Sequence, residues 1–394
     1  MKICLISREY PWRKPYGGVG VSTAVLARAL SRQGHSVSVL TQSPSGTRME
    51  VEEDGLRVIG LPLPPMRALP RRLARFSAIE AAAWSCRVAD AFRRGDLRPD
   101  VVEAPAMNGE ALQLLKLRNR PPVVVRIRGG ASLGLKTRGL FRWYHVPIYR
   151  RERRSVVLAD RVAALSEQAL RENAVHFRLA LDSAIVLPNP VDTTVFTPSA
   201  NRPKTPVSFL FVGRLDAVKG FDLMPSIATI LARQVPGIRF TFAGADRRVS
   251  RAIPAMATAY YRSHASPDAA ACSEFLGVVP VENMPGLYRS HHVLLAPSRT
   301  DAGPRSCIEA AACGMPVVGA RETGMGTHVV DGETGFLVSG HRPEAFAERA
   351  LALARDRELR QRMGRAARRR AETLYSLEAI AQRCLQCYRE LILP

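Results

Sequence analysis

The sequence lacks several features that would mark a membrane or secreted protein. No apolar run approaches the roughly 18 residues that a membrane-spanning helix needs. The opening segment reaches Arg8 and Glu9 too early to be a signal peptide. The seven cysteines are scattered and odd in number, so we expect no disulfide framework. Together these absences favour a cytoplasmic protein in a reducing compartment.

Acidic side chains are few relative to basic ones. The 394 residues carry 57 Lys and Arg against 35 Asp and Glu, which gives a formal net charge of +22. Between Lys116 and Arg154, twelve basic residues stand with a single acid, Glu152. Such a charge distribution attracts nucleic acid, an anionic membrane or an anionic substrate. No recognisable nucleic-acid module accompanies it, so we expect no nucleic-acid partner.

The rest of the composition is that of a globular protein, with 46% hydrophobic and 23% charged residues. Short apolar segments such as Lys2–Ser7 and Val123–Ile127 alternate with helical patterns, which predicts parallel α/β sheets. Five prolines between 188 and 206 interrupt the alternation, which restarts at Val207. We therefore expect two Rossmann-like domains facing each other across a cleft. Their predicted bounds are 1–187, completed by a C-terminal helix at about 376–394, then a hinge over 188–206 and a second domain over 207–375.

Three glycine-containing loops follow predicted strands, at the edge where open α/β sheets bind ligands. The first loop contains Tyr16, Gly17 and Gly18 and leads into a helix. Glycine lets the backbone approach an anion at a helix N-terminus, but an ordinary tight turn would contain the same residues. Both interpretations stay open for this loop.

The second loop runs from Gly213 to Gly220 and carries two cations, Arg214 and Lys219. A guanidinium offers phosphate a planar pair of donors and an ammonium offers a point charge, so the two side chains can grip a diphosphate from two sides. The alternative is an exposed loop with ordinary surface charges.

The third loop runs from Asp301 to Glu309, two acids eight positions apart. The backbone of residues 303–306 lies between them at a predicted helix start, where it can present hydrogen-bond donors. Carboxylates accept paired hydrogen bonds from sugar or ribose hydroxyls. An acid near a helix N-terminus also stabilises the helix, which is the structural alternative for Glu309.

In combination, these loops resemble those of the retaining glycosyltransferases of family 4, which have the GT-B fold. The sequence GRLDAVKG at 213–220 resembles the family's phosphate-binding loop, and residues 301–309 resemble its paired-acid motif, Glu-x7-Glu. The segments 188–198 and 331–337 resemble its interdomain linker and a later turn. The resemblance covers nearly the whole chain.

The resemblance implies a nucleotide-diphosphate sugar as donor, a hydroxyl-bearing acceptor, retention of anomeric configuration, and no metal or other cofactor. It implies that Arg214 and Lys219 stabilise the departing diphosphate. Asp301 would hold the donor sugar and Glu309 the ribose. The other donor-binding residues that it implies are Gly17, Gly18, Gly213, Val278, Val279, Gly303, Pro304, Arg305 and Ser306. The acceptor-side residues would be Tyr16, Glu103, Asn108, Arg128 and Gly129.

Three positions depart from the family's pattern. Asp301 replaces its first Glu, Thr327 stands where many members have Glu, and Arg128 stands where many have His. An arginine stays protonated and cannot act as a general base, although it can contact phosphate or an anionic acceptor. One alternative is therefore a catalytically weak relative that binds sugar nucleotides.

Basic and aromatic residues are mixed over 135–154, where the aromatics include Trp143, Tyr144 and Tyr149. Interfacial helices show this mixture, and so do core helices with a solvated cationic face. We expect an acceptor that is a soluble small molecule or a glycan. The alternative is a peripheral membrane enzyme with a lipid-linked acceptor and an anionic membrane surface as partner.

Overall fold

The structure is a computed structural model that describes residues 1–11, 18–63, 77–137, 139, 141, 143–180, 182–199 and 206–393. It divides into two compact units. The first unit comprises Met1–Pro190 together with Leu377–Pro394, and the second comprises Val191–Ser376. The chain therefore leaves the first unit near Pro190 and returns to it for the last helix.

The first unit contains an eight-stranded sheet. Its strands are β1 (Lys2–Ile6), β2 (Ser36–Gln42), β3 (Met49–Glu53), β4 (Leu56–Leu61), β5 (Val101–Pro105), β6 (Val123–Ile127), β7 (Arg161–Ala164) and β8 (Ile185–Val186). They lie in the order β3-β4-β2-β1-β5-β6-β7-β8, parallel except for the β3–β4 hairpin. Every residue of β5 and β6 is buried, as expected for central parallel strands covered on both faces.

The helices of the first unit lie between these strands. They are α1 (Gly18–Arg32), α2 (Ser77–Arg93), α3 (Ala131–Thr137), α4 (Val146–Val157), α5 (Glu167–Phe177) and, at the end of the chain, α14 (Leu377–Ile392). The last helix is amphipathic and buries seven side chains, including Cys384 and Tyr388. Among the described residues, no helix has both the length and the apolar character needed to cross a bilayer.

The second unit contains a six-stranded, wholly parallel sheet. Its strands are β9 (Ser208–Val212), β10 (Arg239–Ala243), β11 (Ser273–Gly277), β12 (Val293–Ala296), β13 (Val317–Ala320) and β14 (Gly335–Val338). They lie in the order β11-β10-β9-β12-β13-β14, so β9 and β12 are neighbours at the centre. The loops after these two strands therefore leave the same edge of the sheet.

Helices cover the sheet of the second unit. They are α6 (Met224–Gln234), α7 (Ala257–His264), α8 (Pro267–Ala271), α9 (Met284–Arg289), α10 (Arg305–Ala312), α11 (Met325–His328), α12 (Pro343–Arg355) and α13 (Arg357–Tyr375). The core contains an aromatic group, in which Phe242 packs against Phe221, Tyr261 and Phe275. This core supports the loop that follows β9, because Phe221 lies directly after that loop.

Candidate active site

The loop after β9 is held in place by a cap and by close backbone contacts. The Asp216 side chain accepts hydrogen bonds from the backbone N–H of Lys219 at 3.1 Å and from Arg214 Nε at 2.9 Å. It thereby fixes a short 3₁₀ turn over Ala217–Lys219. Gly220 has a φ of +74°, and a Cβ placed there would lie 1.9 Å from the carbonyl oxygen of Pro297. Only glycine fits this position, which joins the loop to the segment that follows β12.

The two sequence-predicted loops meet through an ion pair. Lys219 Nζ donates to Oδ2 of Asp301, and the two side chains are 24% and 13% exposed. The second carboxylate oxygen of Asp301 accepts from the backbone N–H of Gly303 at 3.4 Å. The structure thus brings together one predicted phosphate-binding cation and one predicted sugar-binding acid, from neighbouring strands.

Glu309 lies on α10 with both carboxylate oxygens engaged. Arg305 Nη2 donates to Oε1 at 2.8 Å, and the hydroxyl of Tyr288 donates to Oε2 at 2.8 Å. Burial, reinforced by the nearby Glu309 charge, raises the pKa of Tyr288 well above its usual value, so its hydroxyl stays protonated and donates. Glu309 is therefore a fixed and largely buried carboxylate, with a side chain that is 11% exposed.

The stretch 303–306 supplies fewer backbone donors than expected. Pro304 has no N–H, so the prediction that all four residues offer backbone hydrogen bonds is wrong at this position. Pro304 instead occupies the position immediately before the first residue of α10. Arg305 and Ser306 retain backbone N–H groups at this helix terminus, while the Gly303 N–H donates to Asp301.

The remaining donor-side predictions occupy separate places. Gly213 has a φ of +147°, and its carbonyl oxygen lies so close to Gly244 that a Cβ there would be 1.8 Å away. Val278 and Val279 follow β11, and Val278 is 69% exposed. Gly18 is the first residue of α1 in the first unit. The predictions for Tyr16 and Gly17 lie outside the described residues.

Two predicted acceptor-side residues belong to the interior of the first unit. Glu103 is 2% exposed and accepts from Arg126 Nη2 at 2.7 Å, Arg128 Nη2 at 3.1 Å and the Tyr388 hydroxyl at 2.7 Å. Burial raises its pKa, but Arg126, Arg128 and Tyr388 together outweigh burial and lower it. The Arg128 side chain is 6% exposed. We therefore correct the expectation that Glu103 and the Arg128 guanidinium are available to an acceptor.

Two other predicted acceptor-side residues lie where strands end. Asn108 follows β5 with a φ of +61°, and Gly129 follows β6 with a φ of +87°. Both sit at the carboxyl edge of the sheet in the first unit, where the loops of an open α/β sheet bind ligands.

The sequence did not reveal Glu152 as the residue that holds the loops after β5 and β6 together. The Glu152 carboxylate on α4 accepts from the backbone N–H of Asn108 at 2.9 Å, Ala131 at 2.7 Å and Ser132 at 3.1 Å, and from the Ser132 hydroxyl. One buried side chain thus joins the loops after β5 and β6. The available signal was its isolation, since Glu152 is the single acid among twelve basic residues.

The described residues contain no group of three or more His, Cys, Asp or Glu side chains arranged to hold a metal ion. The candidate site is thus defined by the ion-paired loops after β9 and β12 and by the Glu309 carboxylate.

Comparison with known proteins assigns both halves of the chain. Residues 16–195 match the family model described as Glycosyltransferase Family 4, and residues 192–370 match that of Glycosyl transferases group 1. A D-inositol 3-phosphate glycosyltransferase of Arthrobacter sp. is 30% identical over 91% of this chain and 87% of its own length. The enzyme of the same name from Paenarthrobacter aurescens is 29% identical over 98% of this chain and 95% of its own length.

Solved structures show the same fold. Sucrose-phosphate synthase from Thermosynechococcus elongatus superposes with a TM-score of 0.79 at 21% identity, over 99% of this chain and 98% of its own. The Anabaena protein HepE, in complex with UDP and glucose, gives a TM-score of 0.70 at 18% identity, over 99% of this chain and 100% of its own.

Proposed function

This chain belongs to glycosyltransferase family 4, the group 1 glycosyltransferases, and has the GT-B fold, and we propose that it transfers a sugar with retention of configuration and without a metal ion. The donor is a nucleotide-diphosphate sugar, and the acceptor is a hydroxyl group of a soluble small molecule or glycan. The contact between Lys219 and Asp301 carries the proposal, because it puts a diphosphate-binding cation beside a carboxylate that can hold a sugar.

In the proposed reaction, the bond between the anomeric carbon and the diphosphate oxygen breaks while the acceptor oxygen bonds to the same face of that carbon. The acceptor proton passes to the departing phosphate oxygen. The electron pair of the broken bond leaves with the diphosphate oxygen, so negative charge grows there before the proton arrives, and Arg214 and Lys219 stabilise it more strongly than in the ground state. This charge stabilisation is the principal contribution of the two cations to the rate.

The other residues of the site orient the donor. The Glu309 carboxylate, fixed by Tyr288 and Arg305, is suited to accept hydrogen bonds from the ribose hydroxyls. The exposed Val278 offers an apolar surface for a nucleobase. The UDP in the HepE structure supports a nucleoside diphosphate leaving group.

The test compares the double variant Arg214→Ala/Lys219→Ala with the wild type. We expect donor turnover to fall at least about a thousandfold, because each lost charge contact in such a site costs roughly 10² or more. Arg355→Ala is the charge-matched control: Arg355 is the last residue of α12 and donates to Gln234, the last residue of α6, at 2.8 Å, and it has no role in the proposal. Undiminished turnover in a folded double variant would contradict the assignment.

A second candidate function, transfer to a lipid-linked acceptor at a membrane, rests on one exposed aromatic pair. Trp143 is 82% exposed and packs edge-on against Tyr144, which is 39% exposed, with ring centroids 5.7 Å apart. The exposed cations Arg150 and Arg154 follow one helical turn apart on α4. Tryptophan beside basic residues is typical of interfacial binding.

Sedimentation with anionic and neutral vesicles tests this second function. Wild type should bind anionic vesicles at low salt, and Trp143→Ala should lose most of that binding. Val175→Ala removes an equally isolated surface side chain, 79% exposed, and serves as the control. Absence of binding even at low salt would remove the membrane function.

A further inference from the structure

Acids pair with Arg214, Lys219 and Arg305, the three cations that the resemblance places at the donor. The pairs are Arg214 with Asp216, Lys219 with Asp301, and Arg305 with Glu309. Two of the three join near neighbours in the sequence. The pair of Lys219 with Asp301 differs, because it connects the loop after β9 with the loop after β12.

The ammonium group of Lys219 is directed at Asp301 by the packing of its own side chain. The aliphatic part of Lys219 lies along Gly213, where a built Cβ would be 3.5 Å from Lys219 Cγ. A diphosphate that approaches Nζ would therefore meet the Asp301 carboxylate at close range. Like charges a few ångströms apart repel strongly in a partly shielded site.

We propose that the donor binds by an exchange of partners, in which the diphosphate takes Lys219 and the released Asp301 carboxylate accepts hydroxyl groups of the donor sugar. This inference rests on the proposed function. The intact donor supplies both new partners, whereas the spent nucleoside diphosphate supplies only a partner for Lys219. Asp301 therefore weakens binding of the spent nucleotide more than binding of the intact donor, and so favours product release.

Calorimetry with UDP, ADP and GDP, and with their glucose conjugates, tests the exchange on the full chain. Asp301→Asn should bind the preferred nucleoside diphosphate about tenfold more tightly, the factor that corresponds to ~1.4 kcal/mol. The preference for the intact donor over the diphosphate should fall by at least the same factor. Thermal unfolding checks the fold, and Asp301→Ser replaces the amide variant if that variant does not fold.

Asp222→Asn is the matched control for the lost negative charge. Asp222 is also ion-paired, to Arg299, and its side chain is 15% exposed against 13% for Asp301. It does not contact Lys219 in the structure. We expect its diphosphate affinity to stay within about twofold of the wild type, since a surface pair with another partner contributes little.

The same measurement in a Lys219→Met background separates exchange from simple repulsion. If Asp301 acts by competing for Lys219, the gain from Asp301→Asn should largely disappear in this background. An equal gain in both backgrounds, or no gain in the wild-type background, overturns the exchange while leaving the proposed function intact. If the wild type binds none of the nucleotides, both proposals fail together.

Discussion

Arg128 and Arg126 share one carboxylate, because Arg128 Nη2 donates to Oε1 of Glu103 at 3.1 Å and Arg126 Nη2 donates to Oε2 at 2.7 Å. The Arg126 and Glu103 side chains are 0% and 3% exposed. Two guanidinium groups are thus compensated by a single buried acid, to which the Tyr388 hydroxyl also donates. Arg128, which we expected to face an acceptor, therefore belongs to the interior of the first unit.

We expect Glu103→Gln to destabilise the protein by about 3–5 kcal/mol, because it leaves two buried guanidinium groups without a counter-charge. Tyr388→Phe keeps the charges, removes one hydrogen bond and should cost only about 1–2 kcal/mol. Urea unfolding of the two variants measures the difference. Equal losses would mean that the carboxylate charge is not what stabilises this cluster.

Tyr288→Phe tests the support of Glu309. We expect the donor KM to rise about fivefold, the factor that ~1 kcal/mol produces, because the carboxylate loses the hydroxyl that fixes Oε2. Tyr261→Phe is the control: Tyr261 is buried in the same unit and hydrogen-bonded to Ser273 at 2.7 Å. Steady-state kinetics should show no change in donor KM for the control, and a similar rise in both variants would refute the specific role of Tyr288.

Glu110 makes stability depend on pH. Burial raises its pKa to about 7, although Trp84 and the backbone of Arg8 donate to its carboxylate. From about pH 4.5, where the unfolded chain loses this proton, to about pH 7, where the folded protein does, Glu110 lowers stability increasingly. Below pH 4.5 both states are protonated and the penalty is absent.

Glu110→Gln imitates the protonated side chain and removes this dependence. We expect the variant to equal the wild type near pH 4 and to exceed it by about 3 kcal/mol at pH 8, as the raised pKa requires. Denaturant unfolding at the two pH values gives the comparison. A stability difference that is independent of pH would show that Glu110 does not titrate in this range.

Gly332 and Gly220 have nearly equal φ values, so replacing each with alanine distinguishes the cost of backbone strain from the cost of steric overlap. Gly332 has a φ of +78° and open space around a built Cβ, whereas at Gly220 the Cβ would overlap Pro297. Gly332→Ala should cost about 1 kcal/mol for the left-handed conformation alone. Gly220→Ala should cost several kcal/mol, since the backbone must also move. Thermal unfolding measures both losses. Similar losses in the two variants would show that the close contact with Pro297 is unimportant.

The strands and the fold were largely predictable from the sequence, because each buried parallel strand is a compact apolar run. Val123–Ile127 has the observed bounds, and the segment predicted at Lys2–Ser7 is a strand over Lys2–Ile6. The GT-B fold and the family implied by the resemblance are confirmed by the comparisons. Periodicity and motifs sufficed here, because they depend on residues close together in the chain.

The interior pairing was not predictable, because it depends on contacts between distant positions. Glu103 meets a tyrosine 285 positions later in the chain, and no local pattern reports that distance. Glu152 likewise contacts loops that precede it by 20 to 44 positions. We predicted that Arg128 is available to an acceptor because it follows β6. Glu103 on the neighbouring strand β5 instead pairs with its guanidinium in the interior.

Because α14 belongs to the first unit, the second unit is fully synthesised before the first unit is. Glu103 and Arg126 are translated early, but their partners Tyr388 and Cys384 lie 285 and 258 positions later in the chain. The second unit is fully translated at Ser376, before α14 exists. A ribosome-bound chain that stops just before Leu377 would therefore contain the whole second unit, while Glu103 and Arg126 in the first unit would still lack Tyr388 and Cys384 as partners.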